Sequence, residues 1–194
     1  MNIYMSTPNN YSSRNSLLLN NLLDFYKKGD NLDKMLKIIT GESIISLRIV
    51  DWFATNFAKK YFTLYSIEND DGEVIKRFKV YNDYKLKLKA YSKKCFDPFC
   101  RWDRITIPYK EVKFIETTIG QLNFFKWIIE NKIIEYIETH YTDIENDMNT
   151  RNSTSKKKDI SSINNSTRKK REELSISATK SIKKETVEII MDFN

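Results

Sequence analysis

Three lysines, Lys85, Lys87 and Lys89, alternate with Tyr84, Leu86, Leu88 and Ala90. On an extended strand, side chains at every second position share a face, so this spacing predicts a strand that buries Tyr84, Leu86, Leu88 and Ala90. Its other face would show the three ammonium groups and Tyr91. Ammonium groups in a row neutralise phosphates, and aromatic rings set among them stack on bases. Lys76, Arg77 and Lys79 precede the strand, and Lys93, Lys94, Arg101 and Arg104 follow it, with Tyr81, Phe96 and Trp102 between them. The plainer alternative is a solvated strand whose lysines protect an edge from unwanted pairing.

A second cationic cluster comprises Lys156, Lys157 and Lys158, followed by Arg168, Lys169, Lys170 and Arg171. Clusters of this kind hold polyanions without reading sequence, or serve as import signals. The plainer alternative is a linker that keeps the protein in solution. The distribution of charge is more telling than the total of +7. Residues 76–104 hold ten basic and three acidic groups, whereas residues 105–150 hold four basic and eight acidic. Codon bias in an AT-rich genome raises lysine everywhere and does not place a basic block beside an acidic one. That segregation points to a polyanionic partner.

Residue types for catalysis are sparse. His140 is the single histidine and sits near a predicted helix end. The four glycines are scattered, so no phosphate-cradling loop is predicted. Cys95 and Cys100, in Cys95-Phe96-Asp97-Pro98-Phe99-Cys100, together with one histidine do not make a zinc site at ordinary spacing. They read as free thiols, with a local disulfide as the alternative. Asp97 and Asp103 lie among cations and are expected to form salt bridges. No enzyme, metal or cofactor is expected.

Leu17, Leu18, Leu22, Phe25 and Tyr26 recur at helical spacing over about 14–28. Asp30 is placed to cap a second helix carrying Leu32, Met35, Leu36 and Ile39. A third, from Ile45 to Lys60, would bury Ile49, Trp52, Phe53 and Phe57. The aromatic run 61–65, the turn Asn69-Asp70-Asp71-Gly72 and the run 74–81 predict a hairpin. Arg101 to Ile107 is a candidate fourth strand, closed by Pro108. Thr118 and Gln121 form a capping box for a long helix reaching about Met148, with a break available at Asn131-Lys132. The exposed side of that helix carries Glu130, Glu135, Glu138, Glu145 and Asp147, which does not suit a helix entering a DNA groove.

The expected fold is therefore α+β: N-terminal helices, a central antiparallel sheet, a long helix packed on it, and a disordered basic segment before a C-terminal strand pair. Residues 1–13 read as a flexible N-terminus, 14–149 as the globular domain and 150–173 as the disordered basic linker. Residues 174–194 read as strands, at 174–179 and 186–193, that return to the sheet. No apolar run approaches membrane-spanning length, and no secretory signal is read at the N-terminus.

Four segments, Arg48–Phe53, Leu88–Lys94, Phe96–Arg101 and Gly120–Phe125, resemble a family of uncharacterised proteins from nucleocytoplasmic large DNA viruses of the mimivirus type. The resemblance spans about residues 40–150 and implies no catalytic residues. It implies a host-cytoplasmic virus factory or the virion as location, in preference to the nucleus. The leading expectation is a non-enzymatic nucleic-acid-binding protein. The alternative is a structural or assembly protein whose basic block meets acidic protein surfaces, its own acidic helix face among them.

Overall fold

The computed structural model describes residues 13–68, 71–100, 103–109, 113–161 and 184–186. Three helical stretches open the chain: α1 (Ser13–Tyr26), α2 (Asn31–Ile39), and α3 (Leu47–Trp52) continuing through a π-helical turn (Phe53–Phe57) into α4 (Ala58–Lys60). Most of the expected apolar positions are buried, Leu22, Met35, Leu36, Ile49, Phe53 and Phe57 among them, but Leu17, read onto the apolar stripe of α1, is 66% exposed. Asp30 stands at the N-cap of α2, but its side chain pairs with Lys34 at 3.1 Å and caps no backbone N–H. Ser46 caps α3 by accepting from the Ile49 N–H at 3.3 Å.

The hairpin forms as β1 (Leu64–Glu68) and β2 (Val74–Lys79), antiparallel, with a register irregularity at Ile67/Glu68. Residues 80–96 then depart from expectation. The stretch read as a strand at 84–91 lies inside a helix, α5 (Val80–Phe96). The same residues satisfy both periods. Val80, Tyr84 and Leu88 are spaced by four, with Val80 and Tyr84 buried and Leu88 half-buried, while Leu86, assigned to the buried face of a strand, is 65% exposed. Lysine and leucine are strong helix formers, and the helical stripe packs against the helix at residues 119–130. At Ser92 the backbone turns to φ 65°, ψ 167°, kinking the helix before its last turn.

Strands β3 (Arg104–Tyr109) and β4 (Lys113–Thr118) form a second antiparallel pair, and β5 (Lys184–Thr186) adds to β4. The single central sheet that was expected is thus two sheets, β1-β2 and β3-β4-β5. The C-terminal part of the chain does return to the sheet, but at 184–186. The expected strand at 174–179 and most of that at 186–193 lie outside the described residues. Pro108 sits on β3, an edge of its sheet, where a missing N–H is tolerated.

The long helix is three: α6 (Ile119–Glu130), α7 (Ile133–Thr139) and α8 (Tyr141–Ser161). Thr118 caps α6 by accepting the Gln121 N–H at 3.2 Å. The break falls at Asn131-Lys132, with Lys132 at φ 51°. Helix α8 continues to Ser161, so 150–161, assigned to a disordered linker, is helical, while 162–173 lies outside the described residues. Threonine, asparagine and serine have only modestly lower helix propensity, and the turns before them are anchored in the core through Ile144 and Met148. The architecture is α+β, and its centre is a ring cluster in which Phe78, Tyr84, Phe96 and Phe124 surround Trp127 at 5.7–6.1 Å between centroids.

Candidate nucleic-acid interface

Because 84–91 is helical, Lys85, Lys87 and Lys89 do not form one row. Lys85 and Lys89, four apart, share an exposed face, and Lys87 points elsewhere and is half-buried. Lys79, at the end of β2, is exposed, as are Lys93 and Lys94 beyond the kink. Tyr91, the ring expected to stack bases, is half-buried and lies parallel to Phe96 with centroids 6.2 Å apart. Its face is engaged in the protein.

Other predicted cations are tied to protein groups. Lys76 donates to Asn131 Oδ1 at 2.8 Å and lies 5.3 Å from the Phe78 ring centroid. Arg104 pairs with Glu116 at 3.1 Å. Arg77 is exposed on β2. Lys156, Lys157 and Lys158 fall on the last turns of α8. Arg101 and the cluster Arg168, Lys169, Lys170 and Arg171 lie outside the described residues.

What the fold brings together instead is a run of hollows beside α5. One, of about 540 Å³, is lined by Lys59, Phe62, Leu64, Lys79, Tyr81 and Asn82, among others. The next, of about 670 Å³, shares Tyr81 and Asn82 and adds Lys85, Leu86 and Lys89. Lys59, Lys79, Lys85 and Lys89 are all exposed, and among the described residues neither lining contains a carboxylate. A third hollow on the far side of Phe62, about 740 Å³, is lined by Lys60 and Tyr61 but also by Asp143 and Asp147. Asp147, expected on a solvent-facing acidic surface, has a largely buried side chain. It accepts from Trp52 Nε1 at 3.1 Å and from Tyr61, and pairs with Lys60.

Lys59 and Phe62 were missed as site residues. Phe62 belongs to an aromatic run that reads as strand, and only the backbone shows that it precedes β1 with φ 50°.

Elsewhere, the four family-like segments meet. Gly120 lies against the turn that follows α5: a Cβ there would come 2.8 Å from the Asp97 carbonyl oxygen. Asn123 donates to the Cys95 carbonyl at 2.8 Å. Burial, reinforced by the charge of Asp97, pushes the Asp51 carboxyl up to about 7. Asp97 itself accepts from the Phe99 N–H at 2.9 Å. Cys95 and Cys100 are free thiols, and burial raises the pKa of both. Among the described residues no group of three or more His, Cys, Asp or Glu is placed to hold a metal ion.

Residues 5–192 match the model of a family of unknown function, DUF7197. The chain belongs to that family. This DUF7197 member is also similar to "Uncharacterized protein L507" of Acanthamoeba polyphaga mimivirus, at 44% identity over 164 residues. The match covers 77% of this chain and 62% of the viral protein, so the chain spans less than two thirds of that relative. No solved structure matches. Among the described residues of this DUF7197 chain, no helix is long and apolar enough to cross a membrane.

Proposed function

We propose that this chain is a non-enzymatic nucleic-acid-binding protein of a giant-virus family, acting in the host cytoplasm or the virion. The observation that carries the reading is the alignment of Lys59, Lys79, Lys85 and Lys89 along adjoining hollows with no carboxylate among their described lining residues. Four unbalanced ammonium groups on one track suit a phosphate backbone, whose neutralisation releases counterions. The basic turns of α8 and the cluster at 168–171 would add affinity without sequence preference.

The test is fluorescence-anisotropy titration of the full chain with single- and double-stranded DNA and RNA over a salt series. The expected result is binding in the micromolar range typical of non-specific contacts, with log affinity falling steeply against log salt. Lys79, Lys85 and Lys89 changed together to Glu should weaken it and flatten the salt slope by about one unit per lost contact. Absence of binding at physiological salt would end this reading.

The second reading, a structural or assembly protein, is favoured by Val74 and Ile75 on β2, which are 57% and 63% exposed on a two-stranded sheet. An apolar edge of this kind invites strand addition. Sedimentation without nucleic acid separates the two, since assembly predicts self-association that Val74→Lys abolishes.

A further inference from the structure

Phe62 combines two features that are each unfavourable on their own. The residue is 88% exposed, and its backbone is left-handed at φ 50°. It occupies the position after the cap of α4, where Tyr61 donates to the Phe57 carbonyl at 2.9 Å and Thr63 to the Ala58 carbonyl at 3.1 Å. This helix ending ordinarily takes glycine at the left-handed residue, because a Cβ is strained there. A phenylalanine whose ring packs against little of the protein gains nothing from burial to offset that strain. The conformation aims the ring outward between the two flanking hollows, both of which it lines.

Its surroundings alternate aromatic and cationic groups. Tyr81 lines the same hollow, with Lys59 Nζ 5.6 Å from its ring centroid. Asn82 supplies both a donor and an acceptor, and Lys79, Lys85 and Lys89 follow along the track.

We infer that this track is a groove for single-stranded nucleic acid, in which Phe62 stacks on a base and the lysines follow the backbone. The inference rests on the nucleic-acid reading above and narrows it to one substrate class. Bases in a duplex have their faces covered by neighbours, so an exposed ring gains from stacking only on an unpaired base. An acidic peptide would answer the lysines equally well, but planar rings set among cations favour planar bases.

The experiment compares the full chain with Phe62→Ala, Phe62→Trp and Phe62→Gly, using a fluorescent oligothymidylate and a duplex of equal length. The expected result is a preference for the single strand. Phe62→Ala should weaken it roughly 5- to 150-fold, the range for loss of one stacked base, with the salt slope and duplex affinity unchanged. Phe62→Trp should retain binding. Phe62→Gly should raise the melting temperature while losing the affinity, an opposition that a purely structural role would not produce. Ultraviolet cross-linking of a bromouracil-substituted strand should map to the peptide containing Phe62 or Tyr81. If Phe62→Ala binds the single strand as tightly as the unaltered chain, or if duplex is preferred, the single-strand inference falls while the nucleic-acid reading stands. If the unaltered chain binds no nucleic acid, both fall. If Phe62→Ala instead abolishes self-association or capture of an acidic peptide, the track is a protein interface and the inference is overturned.

Discussion

The indole nitrogen of Trp52 donates to Oδ2 of Asp147 over 3.1 Å, joining α3 to α8 across 95 residues of chain. Arg151 sits over the same indole, 5.6 Å from its centroid, and donates to Asn56 Oδ1 at 3.2 Å. These contacts seat the middle of α8, ahead of its basic last turns, on the body of the protein.

Asp147→Asn should therefore destabilise the fold by about 1–3 kcal/mol, because the new amide NH2 faces donors and leaves one of them without an acceptor. Burial opposes ionisation of Asp147, but hydrogen bonds from Lys60, Trp52 and Tyr61 outweigh it and hold the carboxyl below its ordinary pKa. A depressed carboxylate stabilises the fold above its unfolded pKa and loses that contribution as pH falls through the folded value. Urea midpoints at neutral and acidic pH check both points: the deficit of the variant should shrink on acidification.

Asp51 should act in the opposite sense. Its carboxyl is pushed up to about 7 by burial and by Asp97. Between the unfolded value near 4 and the folded value, the folded state binds the proton more tightly. Stability then falls as pH rises through roughly 4–7 and levels off above that window. Asp51→Asn, neutral throughout, should be more stable than the unaltered chain at pH 8, and the gap should close towards pH 4. Melting temperatures across that range measure it.

Gly120→Ala should be costly. The new methyl would meet two backbone oxygens, of Asp97 at 2.8 Å and Lys94 at 3.1 Å, which do not swing away as a side-chain tip does. A loss of about 1–3 kcal/mol is expected from forcing α6 off the end of α5. Chemical denaturation of the variant reads this directly, and an unchanged midpoint would refute the close approach.

Ser92→Gly should stabilise. At φ 65° and ψ 167°, Ser92 occupies a region that is almost exclusively glycine's, at a strain of about 1–3 kcal/mol. Glycine relieves part of this while adding freedom to the unfolded chain, so a gain of about 1 kcal/mol is expected by urea titration.

Much of this protein was legible in its residues. The spacing of Leu22, Tyr26, Met35 and Leu36 specifies α1 and α2, because helical periodicity needs no partner to be recognised. Thr118 marks the start of α6 through its own hydroxyl, and Asn131-Lys132 marks its end. The segregation of positive from negative charge is likewise a property of the chain alone.

Two decisions needed the tertiary structure. Residues 84–91 alternate like a strand and also carry a stripe at intervals of four, and local pattern cannot choose between the two. Helix α5 wins because Tyr84 and Phe96 then complete the ring cluster around Trp127, whose Nε1 donates to Asp83 at 2.6 Å. That burial depends on residues more than thirty positions away. The second is Phe62. Its left-handed backbone follows from the hydrogen bonds that end α4, and its exposure from the absence of any described element over it to bury the ring. An aromatic in an aromatic run predicts burial. Only the path of the chain turns it outward beside Lys59, Lys79 and Tyr81.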